Sequence, residues 1–237
     1  MRQLIKGDIS RILRKKEIYI FAALLYIILF AVKSKSNVED QIDLFETMVT
    51  MIGMLLCLIP VYLTVYGDEI RTGSMQCVIG RGMSRRKVIA SKLIDCAILF
   101  TMMFMVFLLM FYIKNAVSHI VLTPKQNFLA FVYVLVTCIK ATGYFALAGL
   151  FLFTSWNVAI GLTSCIMMVF VNIALVLVQD NMHIPVHDIW IDGLLNSAYN
   201  DIMIGDFPWK IVVMIAVYIV GILMVTAKIF DRKELDL

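Results

Sequence analysis

The chain has 237 residues, of which 62% are hydrophobic and only 16% are charged, whereas a soluble domain carries about 25% charged residues. The apolar residues form long runs that leave no room for a separate soluble domain. Most basic residues behind the net charge of +4 lie beside these runs, where anionic lipid headgroups attract them, and we expect no nucleic-acid partner. The composition excludes a soluble protein and predicts an all-α integral membrane protein.

The first segment, residues 1–16, is amphipathic. Ile5, Ile9 and Ile12 share one helical face, and Arg11 falls largely opposite them. This pattern predicts a helix that lies in the membrane interface. The alternative is merely a basic flank of the first span.

Six apolar runs follow and predict six transmembrane helices, at residues 18–32, 45–66, 93–113, 128–153, 158–178 and 209–229. The first run is short for a span, which takes about 20 residues. Pro60 in the second run predicts a kink, because proline removes a helical hydrogen bond. Only four residues separate the fourth run from the fifth, so these two helices are expected to form an antiparallel hairpin.

The distribution of Lys and Arg predicts the orientation of the chain. Fifteen lie at one set of span ends and five at the other, and the richer side of a membrane protein faces the cytoplasm. Both termini and residues 67–92 are therefore predicted to be cytoplasmic, and the five cysteines are expected to be free thiols.

The outer segment, residues 179–206, contains five aspartates and no Lys or Arg, together with apolar residues such as Trp190 and Leu195. This mixture fits short re-entrant-like helices in the outer leaflet, provided that protein buries their backbone. A plain surface loop is the alternative. The whole chain is predicted to form a single transmembrane domain.

Residues 67–92, which we name the coupling region, are a charged segment between the second and third spans. Ser84 is a favourable N-cap for a helix that continues to Ile113, and this helix exceeds the bilayer thickness by about two turns. Its first turn places three cations where the helix dipole favours anions, so headgroups or an acidic partner are expected there. Residues 69–79 are predicted to form one short helix that ends at Gly80.

The coupling region resembles the segment after the second span in permease subunits of type-2 ABC exporters. The residues that carry the resemblance are Asp68, Glu69, Gly73, Gly82, Ser84, Arg85 and Lys92. The resemblance extends to the interfacial helix, the six spans and the bent outer segment before the last span. In that family a coupling helix at this place inserts into a groove on an ATP-hydrolysing subunit.

The resemblance implies a dimer with itself or a similar permease, and a separate cytoplasmic ABC ATPase subunit that carries ATP and magnesium. The residues implied in docking are Asp68, Glu69, Arg71, Gly73, Arg81, Ser84, Arg85, Arg86 and Lys87. Small family members commonly export antimicrobial or toxin peptides, so an amphipathic peptide is the expected substrate, with drugs, lipids or glycans as alternatives. The expected location is a bacterial plasma membrane.

The motifs that are absent limit the chemistry of this chain. No GxxxxGK[ST] sequence occurs, so the chain has no P-loop for nucleotide phosphates, and we expect a non-catalytic subunit without a cofactor of its own. Membrane lipids are an expected contact. An ion-gradient-driven secondary transporter is the main alternative, although it would be expected to show inverted repeats and intramembrane carboxylates.

Lys140 lies midway along the fourth predicted span, where lysine costs about 2.5 to 3.5 kcal/mol. It is therefore expected to face protein or a water-filled cavity. It is a candidate translocation-path residue that contacts a polar or anionic substrate group; the alternative is a structural lysine bonded to carbonyls or threonine hydroxyls. Asp95, three residues after Lys92, is expected to pair with it.

His183 and His187 have a spacing that superficially suggests a metal site. Pro185 stands between them and disfavours the helical geometry that would align the two rings. No metal site is predicted.

Overall fold

A computed structural model describes residues 2–12, 14–31, 38–182 and 190–231. These residues form eleven α-helices, two π-helical segments and no strand. The helices are α1 (Arg2–Ile12), α2 (Lys16–Ala31), α3 (Val38–Thr47), α4 (Met54–Tyr62), α5 (Asp68–Arg71), α6 (Ser74–Gly80), α7 (Arg85–Val117), α8 (Pro124–Ser155), α9 (Val158–Met182), α10 (Ile191–Ile204) and α11 (Trp209–Asp231). The all-helical prediction is confirmed for the described residues.

Five helices are long and apolar enough to cross a membrane: Gln41–Arg71, Arg85–Val117, Pro124–Ser155, Val158–Gln179 and Trp209–Asp231. They contain the last five predicted spans. The first predicted span, 18–32, coincides with α2, which has only 16 residues. The chain is thus compatible with a multi-pass membrane protein, and the sixth span stays a prediction.

The second predicted span is one continuous helix built from α3, α4 and α5. The π-helical segments Met48–Gly53 and Leu63–Gly67 join its parts. The helix continues through Pro60, whose carbonyl accepts a hydrogen bond from the Thr64 hydroxyl at 2.5 Å. Pro60 itself lies in the α-helical part between the two π-helical segments, and the kink there stays a prediction.

Helix α8 occupies the centre of the bundle and packs against α7, α9, α10 and α11. It begins with a capping box in which Thr123 and Gln126 cap each other, with Pro124 at the first helical position. It ends at Ser155, and the left-handed backbone of Trp156 (φ 59°) starts the turn into α9. The expected hairpin of α8 and α9 is confirmed.

The helix directions divide the bundle into two ends. One end, which we name the basic end, holds α1, α5, α6, the start of α7 and the end of α11. The opposite end holds α10, the start of α8 and the start of α11. In the outer segment, α10 is a 14-residue helix that packs on α8 and α11, so residues 191–204 are not a plain surface loop.

Candidate functional site

Lys92 lies at the centre of an ion-pair cluster at the basic end. Its ammonium group is 2.5 Å from Asp8 Oδ2 of α1 and 2.6 Å from Glu69 Oε1 of α5. Arg11 of α1 also donates to Glu69. Both Lys92 and Glu69 are 4% exposed, so water screens these pairs weakly. The cluster ties α1, the end of the second span and the start of α7 together.

Asp95 lies one turn further along α7, with Oδ2 at 3.6 Å from Lys92 Nζ. The expected pair is therefore confirmed. Asp95 is fully buried, and neither of its carboxylate oxygens has a hydrogen-bond partner among the described residues. The charge of Lys92 compensates three carboxylates, and among the described residues no other cation pairs with Asp95.

A second contact joins the turn after α1 to the second span nearer the surface. Lys15 Nζ lies 2.5 Å from Asp68 Oδ2 and 3.2 Å from the Thr64 carbonyl oxygen. Residues Arg2–Ile12 therefore form a helix that is bound to α5 and α7. Its position in the membrane interface stays a prediction.

The coupling region has two helices where one was predicted. The predicted helix 69–79 is interrupted after Arg71, because Gly73 adopts a left-handed conformation with φ +64°. Gly82, with φ +90°, separates α6 from α7. Because a left-handed backbone disfavours residues with a Cβ, these two glycines set the path of the region. Met75 of α6 is 1% exposed and anchors this short helix to the core.

The cations at the start of α7 interact with the end of α11. Arg85 donates to the Phe230 carbonyl and stands over the Phe230 ring, 5.2 Å from its centroid. Arg86 Nε lies 3.1 Å from Asp231 Oδ2. The expected compensation of these charges therefore comes partly from within the chain. Ser84 precedes the helix as predicted, but its side chain makes no capping hydrogen bond.

The implied docking residues divide by accessibility. Glu69 is buried, and Gly73 and Arg85 are half-buried. The exposed members are Asp68, Arg71, Arg81, Ser84, Arg86 and Lys87. Arg71 precedes α6 and Arg81 follows it. Because both side chains are exposed, an external partner can reach them.

Lys140 forms a buried ion pair with Asp192 at the start of α10. The Tyr144 hydroxyl donates to Asp192 Oδ2 at 2.5 Å, and Asp192 is fully buried. The expectation that Lys140 faces protein is confirmed. Its partner is neither a carbonyl nor a threonine hydroxyl, as the structural alternative had it, but an aspartate of the outer segment.

A cavity of about 320 Å³ adjoins this ion pair. Its polar lining comes from Thr50, Tyr133, Thr137, Lys140, Asn172 and Asn196. Such a lining inside a helical bundle can accept a polar group of a ligand. The cavity places Lys140 beside a space that a substrate could enter.

Hydrogen bonds hold α10 over this cavity. The Tyr199 hydroxyl of α10 donates to Glu46 Oε1 of the second span at 2.7 Å, and Asp192 of α10 accepts from Tyr144 of α8. Burial, together with the nearby Glu46, raises the pKa of Tyr199, so its phenol stays protonated and can donate. Helix α10 is thus bound to both the second span and α8.

Within residues 2–12, 14–31, 38–182 and 190–231, no group of three or more His, Cys, Asp or Glu side chains could hold a metal ion. His183 and His187 lie outside the described residues, and the prediction of no metal site stays a prediction. Comparison of the chain with protein families, curated proteins and solved structures gave no match.

Proposed function

We propose that this chain is the membrane-spanning subunit of an ATP-driven exporter of the type-2 ABC class. The observation that carries the proposal is the Lys92 cluster, which joins the coupling region to α1 and α7 through buried ion pairs. A force applied to the coupling region would move these helices together, because buried ion pairs resist separation. In this proposal both termini and the basic end face the cytoplasm.

The driving force enters through a separate ATPase subunit that binds ATP and magnesium. The ATPase contacts the coupling region through α6 and its exposed flanking cations, Arg71 and Arg81. A second copy of the chain, or a similar permease, completes the translocation path in a bacterial plasma membrane. An amphipathic peptide is the proposed substrate.

Co-purification with the candidate ATPase tests the docking surface. Arg71→Glu with Arg81→Glu is expected to reduce recovery of the complex and ATP-dependent transport, because two exposed cations become anions. Lys210→Glu, at the end of the bundle opposite the coupling region, is the control. It is expected to leave complex recovery and transport unchanged. A stable complex in the double variant, with normal transport, contradicts the docking proposal.

A second experiment tests transmission through the Lys92 cluster. Asp8→Asn removes one carboxylate of the cluster without touching the exposed face of α6. The complex with the ATPase is expected to survive, while transport per ATP hydrolysed falls. Unchanged coupling would argue against force transmission through α1.

An ion-gradient-driven transporter is the second candidate, favoured by the buried pair of Lys140 and Asp192 beside a cavity. Charged residues inside a membrane often belong to ion or proton pathways. Vesicles containing the chain without any ATPase distinguish the two functions. Uptake that follows an imposed proton or sodium gradient supports the second candidate, and uptake only with the ATPase and ATP supports the first.

A further inference from the structure

A groove runs between α7 and α11 at the basic end of the bundle. It has a volume of about 510 Å³, within the range of about 300–1,000 Å³ that is typical of small-molecule sites. Its apolar wall comes from Ile89 and Ala90 of α7 and from Leu223 and Met224 of α11. The α11 part of this wall lies inside the predicted span 209–229, and the α7 part lies within four residues of the predicted start of the third span at residue 93. The wall is therefore expected to lie at the boundary between the hydrocarbon and the headgroups.

Basic side chains close one edge of the groove. Arg86 and Lys228 belong to its lining, and Lys87 follows Arg86 on the exposed side of α7. The edge therefore combines positive charge with an apolar channel. A basic pocket between transmembrane helices at the cytoplasmic side is a recurrent binding place for anionic lipid headgroups.

Asp231 is the anionic group at this edge, and it pairs with Arg86 at 3.1 Å. The side chain of Arg86 is 74% exposed and that of Asp231 is 38% exposed. An ion pair in such an exposed position contributes little, so a phosphate can compete for Arg86. Arg85 is directed instead towards the carbonyl and ring of Phe230.

We propose that this groove binds one anionic phospholipid, with its phosphate between Arg86 and Lys228 and an acyl chain along the α7–α11 wall. The charge complementarity of the edge selects an anionic headgroup, and the apolar wall selects a lipid over a free phosphate. The proposal requires only that the helices span a membrane. It stands whether or not the chain is an exporter subunit.

The test uses the purified full chain in an uncharged detergent, with equal amounts of phosphatidylglycerol and phosphatidylcholine of matched acyl chains. Native mass spectrometry counts the retained lipids. One phosphatidylglycerol is expected to be retained in preference to phosphatidylcholine. Arg86→Gln and Lys228→Gln are each expected to weaken its apparent Kd about fivefold, from the attraction of a single cation near a lipid surface.

Three further variants separate the headgroup from the acyl chain. Lys210→Gln changes the same charge at the other end of α11 and is expected to have no effect. Asp231→Asn frees Arg86 and is expected to tighten binding. Ala90→Phe fills the groove without changing charge and is expected to weaken phosphatidylglycerol binding.

Four results would overturn the proposal. Equal retention of the two lipids would show that the groove does not select an anionic headgroup. Equal losses of phosphatidylglycerol affinity in Lys210→Gln and Lys228→Gln would show that the charge effect does not come from the groove. Unchanged affinity in Ala90→Phe removes the acyl-chain site. Loss of a dimer in Lys228→Gln, with lipid retention unchanged, assigns the groove to a second copy of the chain.

Discussion

At the scale of single residues, Lys92 pairs with more carboxylates than any other cation among the described residues. It lies within 4 Å of carboxylates from α1, α5 and α7. Because Lys92 and Glu69 are almost fully buried, removing the lysine leaves carboxylates that neither water nor another cation can fully compensate. The loss of one partner from a buried ion pair costs about 3–5 kcal/mol.

Lys92→Met is therefore expected to lower the thermal unfolding midpoint of the purified chain strongly. The physical cause is chiefly the uncompensated charge of the buried Asp95, because Arg11 still pairs with Glu69. Lys87→Met, on the exposed side of the same helix, is the control and should change the midpoint little. Comparable midpoints for the two variants would show that the cluster contributes no net stability.

The pair of Lys140 and Asp192 permits a cleaner test, because each residue can be replaced alone and together. Lys140→Met and Asp192→Asn alone each leave one buried group without its partner, and each should destabilise by about 3–5 kcal/mol. The double variant should be milder than the sum, because no charge remains buried. Thermal unfolding of the four proteins gives the coupling energy, and strict additivity would contradict a direct interaction.

At the scale of elements, two glycines of the coupling region have opposite requirements. Gly73 has φ +64° at the junction of α5 and α6, whereas Gly80 ends α6 with a negative φ and nothing within 4 Å of an added Cβ. An alanine at a left-handed position is strained by about 1–2 kcal/mol. At a helical position it restricts the unfolded chain and is tolerated.

Gly73→Ala is accordingly expected to loosen α6, and Gly80→Ala is expected to be neutral or slightly stabilising. Hydrogen exchange of the amides of residues 74–80 measures the effect directly. Faster exchange in Gly73→Ala, with unchanged exchange in Gly80→Ala, is the expected result. Equal exchange in the two variants would mean that the left-handed turn does not determine the position of α6.

The sequence predicted the elements better than their contacts. Apolar runs identify helices in a membrane protein because only helices and closed barrels satisfy the backbone there, and Ser84 correctly indicated the start of α7 although it makes no capping hydrogen bond. The break at Gly73 was missed, since glycine occurs both inside and between helices. The basic residues that begin α7 did not indicate that Arg85 and Arg86 would contact the end of α11.

The partners of the buried lysines could not be predicted, because they lie far away in sequence. Asp8 is 84 residues from Lys92, and Asp192 belongs to a segment whose aspartates looked alike. Periodicity specifies the face of a helix, but it does not specify which distant helix covers that face. The unusual depth of Lys140 was nevertheless a correct signal, since an isolated lysine inside a bilayer requires a partner.

At the scale of the whole molecule, burial is uneven among the candidate spans. Within an apolar stretch of 18 residues in each helix, the buried share is 61% in α8, 11% in α9 and 17% in α11. Helices α9 and α11 therefore present most of their surface outward. One such surface can face lipid while the other faces a second subunit.

Helix α9 is the better candidate for the proposed dimer interface. It carries polar side chains such as Thr163 and Ser164 on a partly or fully exposed surface, and interfaces between membrane helices are enriched in small and polar residues. On α11 the outward face between Val217 and Met224 is apolar. We therefore expect the proposed subunit contact on α9 and the lipid contact on α11.

Cysteine crosslinking in native membranes tests this arrangement. In a Cys77→Ser background, which removes the exposed cysteine of the described residues, Phe170→Cys on α9 is expected to form a disulfide-linked dimer. Val217→Cys on α11 is the matched control, because both positions are exposed, and it should remain monomeric. If only Val217→Cys formed a dimer, the subunit contact would lie on α11 and the lipid contact on α9. A second subunit would then lie beside the α7–α11 groove.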